Sequence, residues 1–279
     1  MVKEALDALR AALPSGVELV AVSKFHPVSR LMEAYDAGQR IFAESRPQEL
    51  AVKVPQMPAD VQWHFIGHLQ TNKLKMVLPY VDLVQSVDSL HLLEAINAWG
   101  KANGKVVNVL LELHLGAEDT KQGFTEDEIC CLVREEGVLS PTVASRPLPS
   151  SMGPSHQFEG ALPPIIPRGS RTISPSDPSS AVRSDERMSV PSCHSEQSEE
   201  SFLTNVNIIG LMGMATNTED MAVVERDFER IERLFLQLQA VNPSITELSI
   251  GMSGDWPVAV RHHATMVRIG TDIFGPREY

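Results

Sequence analysis

Two hydrophobic periods alternate along the chain. Short apolar runs rich in β-branched residues recur at 17–23 (VELVAVS), 40–42 (RIF), 61–66 (VQWHFI), 82–86 (DLVQS), 106–113 (VVNVLLEL), 206–211 (VNIIGL), 245–249 (ITELS) and 265–269 (TMVRI). Runs of this kind predict strands covered on both faces. Between them, over 28–37, 46–54, 71–78, 88–102, 125–136, 218–240 and 255–262, apolar residues return every three to four positions, which predicts amphipathic helices. Another such helix precedes the first strand, in MVKEALDALRAALP. Its charges interrupt the apolar pattern, unlike the continuous apolar core of a secretory leader. Strands alternating with helices imply a parallel sheet, and eight such units predict a closed (β/α)8 barrel. An open doubly wound sheet is the alternative, but no GxGxxG follows the first strand.

One stretch has neither period. From about residue 137 to 203 the chain is rich in Ser and Pro, as in SPTVASRPLPSS and SPSDPSSAVRSDERMSVPSC. Such a composition buries too little apolar surface to offset its ordering entropy, so a disordered insertion is expected. A partner-binding or phosphorylated segment is the alternative. Closing a long loop costs only a logarithm of its length, so residues 1–136 and 204–279 can still form one barrel. The insertion falls between a helix and the next strand, away from the barrel mouth, and is expected to leave a site there intact.

Charge and cysteines narrow the class. The formal net charge is −12 and no basic stripe stands out, so nucleic-acid binding is not expected. No apolar run reaches the length of about 18 residues needed for a transmembrane helix. The three cysteines are Cys130, Cys131 and Cys193, with the spacing of neither a disulfide framework nor a metal site. A protein of the reducing cytoplasm is expected, without a metal. Cys130 and Cys131 fall on a predicted helix, where packing is the simple reading.

In a barrel of this kind the chemistry gathers at the carboxyl ends of the strands. The first strand, in LVAVSKFHP, ends on Lys24. The last two run into SIGMSGDW and RIGTDIFG, where glycine turns and hydroxyls precede helical patterns and could hold a phosphate. A lysine desolvated at a strand end loses some preference for its charged form, and its neutral amine can form a Schiff base with an aldehyde. Pyridoxal 5'-phosphate (PLP) carries both an aldehyde and a phosphate, and a sugar phosphate undergoing retro-aldol cleavage would use the same parts. Arg268 lies two residues before Gly270. A permanently protonated guanidinium facing the pyridine nitrogen would weaken the ring as an electron sink. Pairing with a neighbouring carboxylate is the plainer reading of Arg268. His64 and His68, flanking FIG after the third strand, read more simply as structural than as catalytic or metal-binding.

Taken together, VAVSKFHP, WHFIGHLQTNK, QSVDS, GLMGMAT, LSIGMSGDW and MVRIGTDIFGPREY resemble the YggS/PROSC family of PLP homeostasis proteins. The resemblance covers about 1–136 and 204–279 and implies a barrel like the N-terminal domain of alanine racemase. It implies that Lys24 is the Schiff-base lysine, that Ser253, Gly270 and Thr271 belong to the phosphate loops, and that Arg268 faces the pyridine nitrogen. Ser45, Met214, Ser249, Gly251 and Met252 complete the implied cofactor-binding set. The sequence also departs from the family. FAES puts Ala43 and Ser45 where F-G-E-N is usual, and RHHAT puts His263 and Ala264 where Gly-Ser is frequent. Racemisation needs a base on each face of the substrate carbon, and a second domain normally supplies one. Because the chain stops at Tyr279, the expectation is a monomeric carrier and regulator of PLP with little or no turnover and no catalytic residues, serving PLP-dependent client enzymes. The alternatives are an amino-acid racemase and, further off, a Schiff-base aldolase with His64 as its acid/base.

Overall fold

β-branched and leucine-rich segments can be buried on both faces only if the sheet is covered on both. The computed structural model, which describes residues 1–116, 122–134 and 203–276, meets this by closing the sheet on itself. Eight parallel strands form the closed barrel: β1 (Glu18–Val22), β2 (Ile41–Glu44), β3 (Gln62–Phe65), β4 (Leu83–Val87), β5 (Val107–Leu113), β6 (Val206–Gly213), β7 (Glu247–Ser249) and β8 (Met266–Ile269). β8 pairs back onto β1, with Ile269 opposite Ala21. Helix α1 (Val2–Ala12) precedes β1. The other helices are α2 (Val28–Asp36), α3 (Pro47–Lys53), α4 (Leu74–Val77), α5 (Leu90–Asn103), α6 (Glu126–Arg134), α7 (Met221–Val241), α8 (Trp256–Arg261) and α9 (Thr271–Phe274). All described residues belong to one compact unit. The expected insertion lies outside the described residues, except for buried Leu203.

The pleat divides the apolar residues between two cores. On β1, Leu19 and Ala21 pack toward the helices, while Val20 and Val22 face the barrel axis. The axial cluster also holds Ala43, Leu83, Leu110, Met212 and Met266, all from strands. Local chemistry fixes the helix ends: Ser89 caps α5 through Leu92 N, Asp220 caps α7 through Ala222 N, and Gly104 ends α5 in the left-handed region at φ 61°.

Three elements differ from expectation. The helix expected at 71–78 is a 3₁₀ turn, Thr71–Lys73, followed by the single turn of α4, with Pro79 just beyond it. β6 continues two residues beyond 211. Within it Gly210 lets β7 approach, since a Cβ there would lie 1.8 Å from the Glu247 carbonyl oxygen. α9, four residues long, is too short to show a period. Among the described residues no helix is long and apolar enough to cross a membrane.

Candidate functional site

Lys24 is the second residue past β1 and half-buried. Val20 and Val22 face the axis, and the same alternation carries Lys24 to the mouth on that side. Both of its neighbours are clamped. Ser23 is fully buried; its hydroxyl donates to Glu44 Oε1 at 2.6 Å and its carbonyl accepts from Lys53 Nζ at 2.9 Å. Phe25 sits at φ 68°, a strained conformation for a bulky side chain. Its N–H donates to Glu49 Oε2 at 2.9 Å, and the Arg46 guanidinium lies over its ring at 4.3 Å. Lys53 Nζ ties the arrangement together, reaching Glu44 Oε1 at 2.7 Å and Glu49 Oε2 at 3.1 Å. Burial pushes the Glu44 carboxyl up despite the pull of Lys53, and its Oε2 has no hydrogen-bond partner among the described residues. Glu49 is also raised by burial, but the Phe25 N–H and Lys53 bring it below its usual value.

Across the mouth a chain of hydrogen bonds runs through the barrel. Buried Arg268 on β8 donates from Nη1 to the Ser249 carbonyl at 2.7 Å and hydroxyl at 2.6 Å, and from Nη2 to the Gly213 carbonyl at 2.9 Å. Ser249 passes its own proton to Gln85 Oε1 at 2.7 Å, and Gln85 Nε2 meets His64 Nδ1 at 2.9 Å. The direction of donation makes Nδ1 an acceptor, so His64 is neutral. Burial agrees, pushing His64 down to about 4. Burial also lowers Arg268 to about 10, which leaves it protonated at neutral pH. Three of its five N–H donors are engaged by this chain.

The loops after β7 and β8 provide the third wall. Gly251 has φ 92°, and a Cβ there would meet the Ala259 Cβ at 2.6 Å, so the turn requires glycine. The Asp255 carboxylate accepts from Met252 N at 2.5 Å. The backbone N–H groups of Ser253, Gly254, Gly270 and Thr271 have no hydrogen-bond partner among the described residues. Four uncommitted donors on two adjacent loops, with the Ser253 and Thr271 hydroxyls, suit a phosphate. A cofactor with a phosphate, an aldehyde and a ring nitrogen therefore finds donors for the phosphate, a lysine at the mouth and a held guanidinium.

The sequence-predicted residues occupy different places around this mouth. Ser45 follows β2, half-buried, with its carbonyl so close to Gly67 that a Cβ there would lie 2.2 Å from it. Met214 and Met252 are exposed at the ends of β6 and β7. Ser249 is fully buried, with its hydroxyl committed to Arg268 and Gln85, so in this structure it supports the arginine from below. Arg268 makes its hydrogen bonds to Ser249 and Gly213; Glu112 and Asp255 act on it only through their charge. His68 Nδ1 lies 2.8 Å from the Asp88 carboxylate. Cys130 packs against the core, and no metal-holding group of His, Cys, Asp or Glu occurs among the described residues. Sequence reasoning passes over Gln85, Glu44, Glu49, Lys53 and Glu112. The available signal was polarity out of place: Gln85 in LVQS, Glu44 in IFAE and Glu112 in VLLEL interrupt otherwise apolar strands.

The closed barrel of eight parallel strands is of the alanine racemase N-terminal class. The family model for that domain matches residues 2–138. The chain belongs to the pyridoxal phosphate homeostasis protein family. It is 30% identical to the family member of Vibrio alginolyticus over 95% of this chain and 89% of the relative. It is likewise 30% identical to that of Schizosaccharomyces pombe over 98% of this chain and 91% of the relative. Among solved structures it resembles PipY of Synechococcus elongatus PCC7942 at 28% identity, with TM-scores of 0.72 without PLP and 0.68 with PLP bound. Each match covers 99% of this chain and all of PipY. Alanine racemase of Clostridium difficile shares the fold at 10% identity and a TM-score of 0.60.

Proposed function

We propose that this protein holds PLP on Lys24 and takes part in PLP homeostasis as a carrier with little or no turnover. The observation that carries the reading is the convergence of a clamped lysine, four free backbone donors and a buried arginine on one barrel mouth. The chemistry PLP supplies is an aldehyde that condenses with an amine. Ser253, Gly254, Gly270 and Thr271 would bind the phosphate through N–H and hydroxyl groups. Arg268, held by Ser249 and Gly213, would present a protonated donor to the ring nitrogen and keep that nitrogen unprotonated, which disfavours carbanion chemistry. Ser45 would offer a single hydroxyl toward the ring. A carrier role is supported by family membership and by a wet mouth, where Met214 is 47% and Met252 38% exposed. Water at the mouth weakens the electrostatic stabilisation that turnover needs. The expected setting is the cytoplasm, with the chain acting as a monomer and delivering PLP to client enzymes.

The test is an absorbance spectrum of the purified protein between about 300 and 500 nm, beside Lys24→Ala. A Schiff-base band near about 420 nm, fixed by borohydride and missing from Lys24→Ala, is expected. The same spectrum from both proteins after PLP is added would overturn the assignment. Racemase assays on the loaded protein then separate carrier from enzyme.

A further inference from the structure

Beside the proposed cofactor site, at the carboxyl ends of β5, β6 and β7, lies a cavity of about 680 Å³. That is the volume of an ordinary small-molecule site. Its rim is unusual. Met214, Met221 and Met252, all 38–47% exposed, stand around it. Its acidic groups are Glu112, Glu219 and Asp255, and no lysine or arginine is among its described lining residues.

Glu112 distinguishes the cavity from a merely acidic surface. It is 9% exposed, it lines the cavity, and its carboxylate makes no hydrogen bond among the described residues. Asp255, by contrast, is held by Met252 N, and Glu219 is exposed. A nearly buried carboxylate without a donor is costly to keep ionised. Burial and the charge of Asp88 push Glu112 up to about 6, against the weaker pulls of Arg268 and His68. Neither cation reaches hydrogen-bonding distance, since Arg268 bonds Ser249 and Gly213 while His68 bonds Asp88. An open donor position therefore faces the cavity. Methionine and leucine walls suit a flexible aliphatic body.

We propose that this cavity binds an aliphatic primary ammonium, with its charged end on Glu112 and its hydrocarbon between Met214, Met221 and Met252. The site adjoins the cofactor reading and shares Met214, Met252 and Gly254 with it, but its charged anchor, Glu112, is not part of that reading, so the amine is titrated into protein without added PLP. Two sources share this chemistry: a free small amine, and a lysine side chain presented by another protein.

The experiment uses the full chain with 13C-methyl-labelled methionines. n-Pentylamine is titrated in one arm and Nα-acetyl-lysine methylamide in another, with pentanol and pentanoate as controls. Saturable shifts of the three rim methyl resonances by an amine, with millimolar or tighter Kd and no response to the controls, are expected. Tighter binding of pentylamine assigns the site to free amines, and tighter binding of the lysine derivative assigns it to a protein side chain. Glu112→Gln, close to isosteric but neutral, should weaken the amine about tenfold or more. Titrating Lys24→Ala in parallel removes Schiff-base exchange as a cause of the shifts, so they should persist there. PLP loading is read on the same wild-type samples by the spectrum described above. Loading without amine binding overturns this inference alone. Amine binding without loading overturns the cofactor reading alone. Equal shifts by pentanol, or unchanged affinity in Glu112→Gln, also overturn the ammonium site.

Discussion

Replacing Lys53 with methionine removes the ammonium that holds both flanks of Lys24. Lys53 is 6% exposed and its three hydrogen bonds go to the Ser23 carbonyl, Glu44 and Glu49. Methionine keeps the length and apolar stem but leaves Glu44, fully buried, with only the Ser23 hydroxyl as donor. Breaking a buried ion pair by deleting one partner costs about 3–5 kcal/mol, a large part of the roughly 5–15 kcal/mol by which domains are stable. Urea unfolding at pH 7 followed by circular dichroism measures it directly. Without Lys53 the Glu44 carboxyl, already raised by burial, rises further. A raised folded pKa gives stability that is present below the unfolded value and lost as pH rises through the folded one. The gap between wild type and Lys53→Met should therefore narrow as pH is lowered from 7 toward about 5. Adding Glu44→Gln removes the stranded charge, and the double variant should regain about 1–2 kcal/mol over Lys53→Met alone. PLP loading of the folded variant should fall, because Phe25 loses part of its anchor through Glu49. A loss under about 1 kcal/mol, a gap that ignores pH, or a double variant no better than the single would refute the clamp.

Four further outcomes follow from single residues. His64, pushed by burial from 6.5 to about 4, gives stability that is present above 6.5 and lost as pH falls toward 4; at about 1.4 kcal/mol per pH unit this is about 3 kcal/mol. Glu112, raised from 4.5 to about 6, acts oppositely and favours the fold by about 2 kcal/mol at pH 4.5 relative to pH 7, so Glu112→Gln should steepen acid unfolding as read by urea midpoints across that range. His263, at φ 58°, occupies a left-handed position that costs a side chain about 1 kcal/mol, and His263→Gly should raise the urea midpoint unless its pairing with Glu232 outweighs the relief, which Glu232→Gln tests in the same background. Ser45→Asn restores an amide beside the mouth and should tighten PLP binding by about two- to tenfold, the effect of one added hydrogen bond, measured by titrating the Schiff-base band.

The barrel was readable because strand and helix periods are imposed by burial, and burial leaves its mark on every turn of the chain. The eight strands lie within two residues of their expected positions, including β7, which has only three residues. What the pattern missed was set by contacts it does not encode. The 3₁₀ form of Thr71–Lys73 and the close approach of β7 at Gly210 leave no mark in the hydrophobic period. Likewise His263 at φ 58° shows that the turn before β8 takes a left-handed residue although the sequence puts a histidine there.

The site divides along the same line. Lys24, Arg268 and the loop glycines stand out in the sequence because their residue types suggest chemistry at strand ends. Glu44, Lys53, Gln85 and Ser249 act through partners distant in sequence: Gln85 meets Ser249 across 164 residues and His64 across 21. A period of two says that Gln85 points to one face of β4, but only barrel closure brings β7 and β3 to that face. These polar residues are costly in the barrel unless they pair with one another, and the chain from Arg268 to His64 links each to the next. Arg268 is thus held by a neutral chain rather than by a carboxylate. Glu112, which acts on it only through charge, keeps an open position on the cavity beside it.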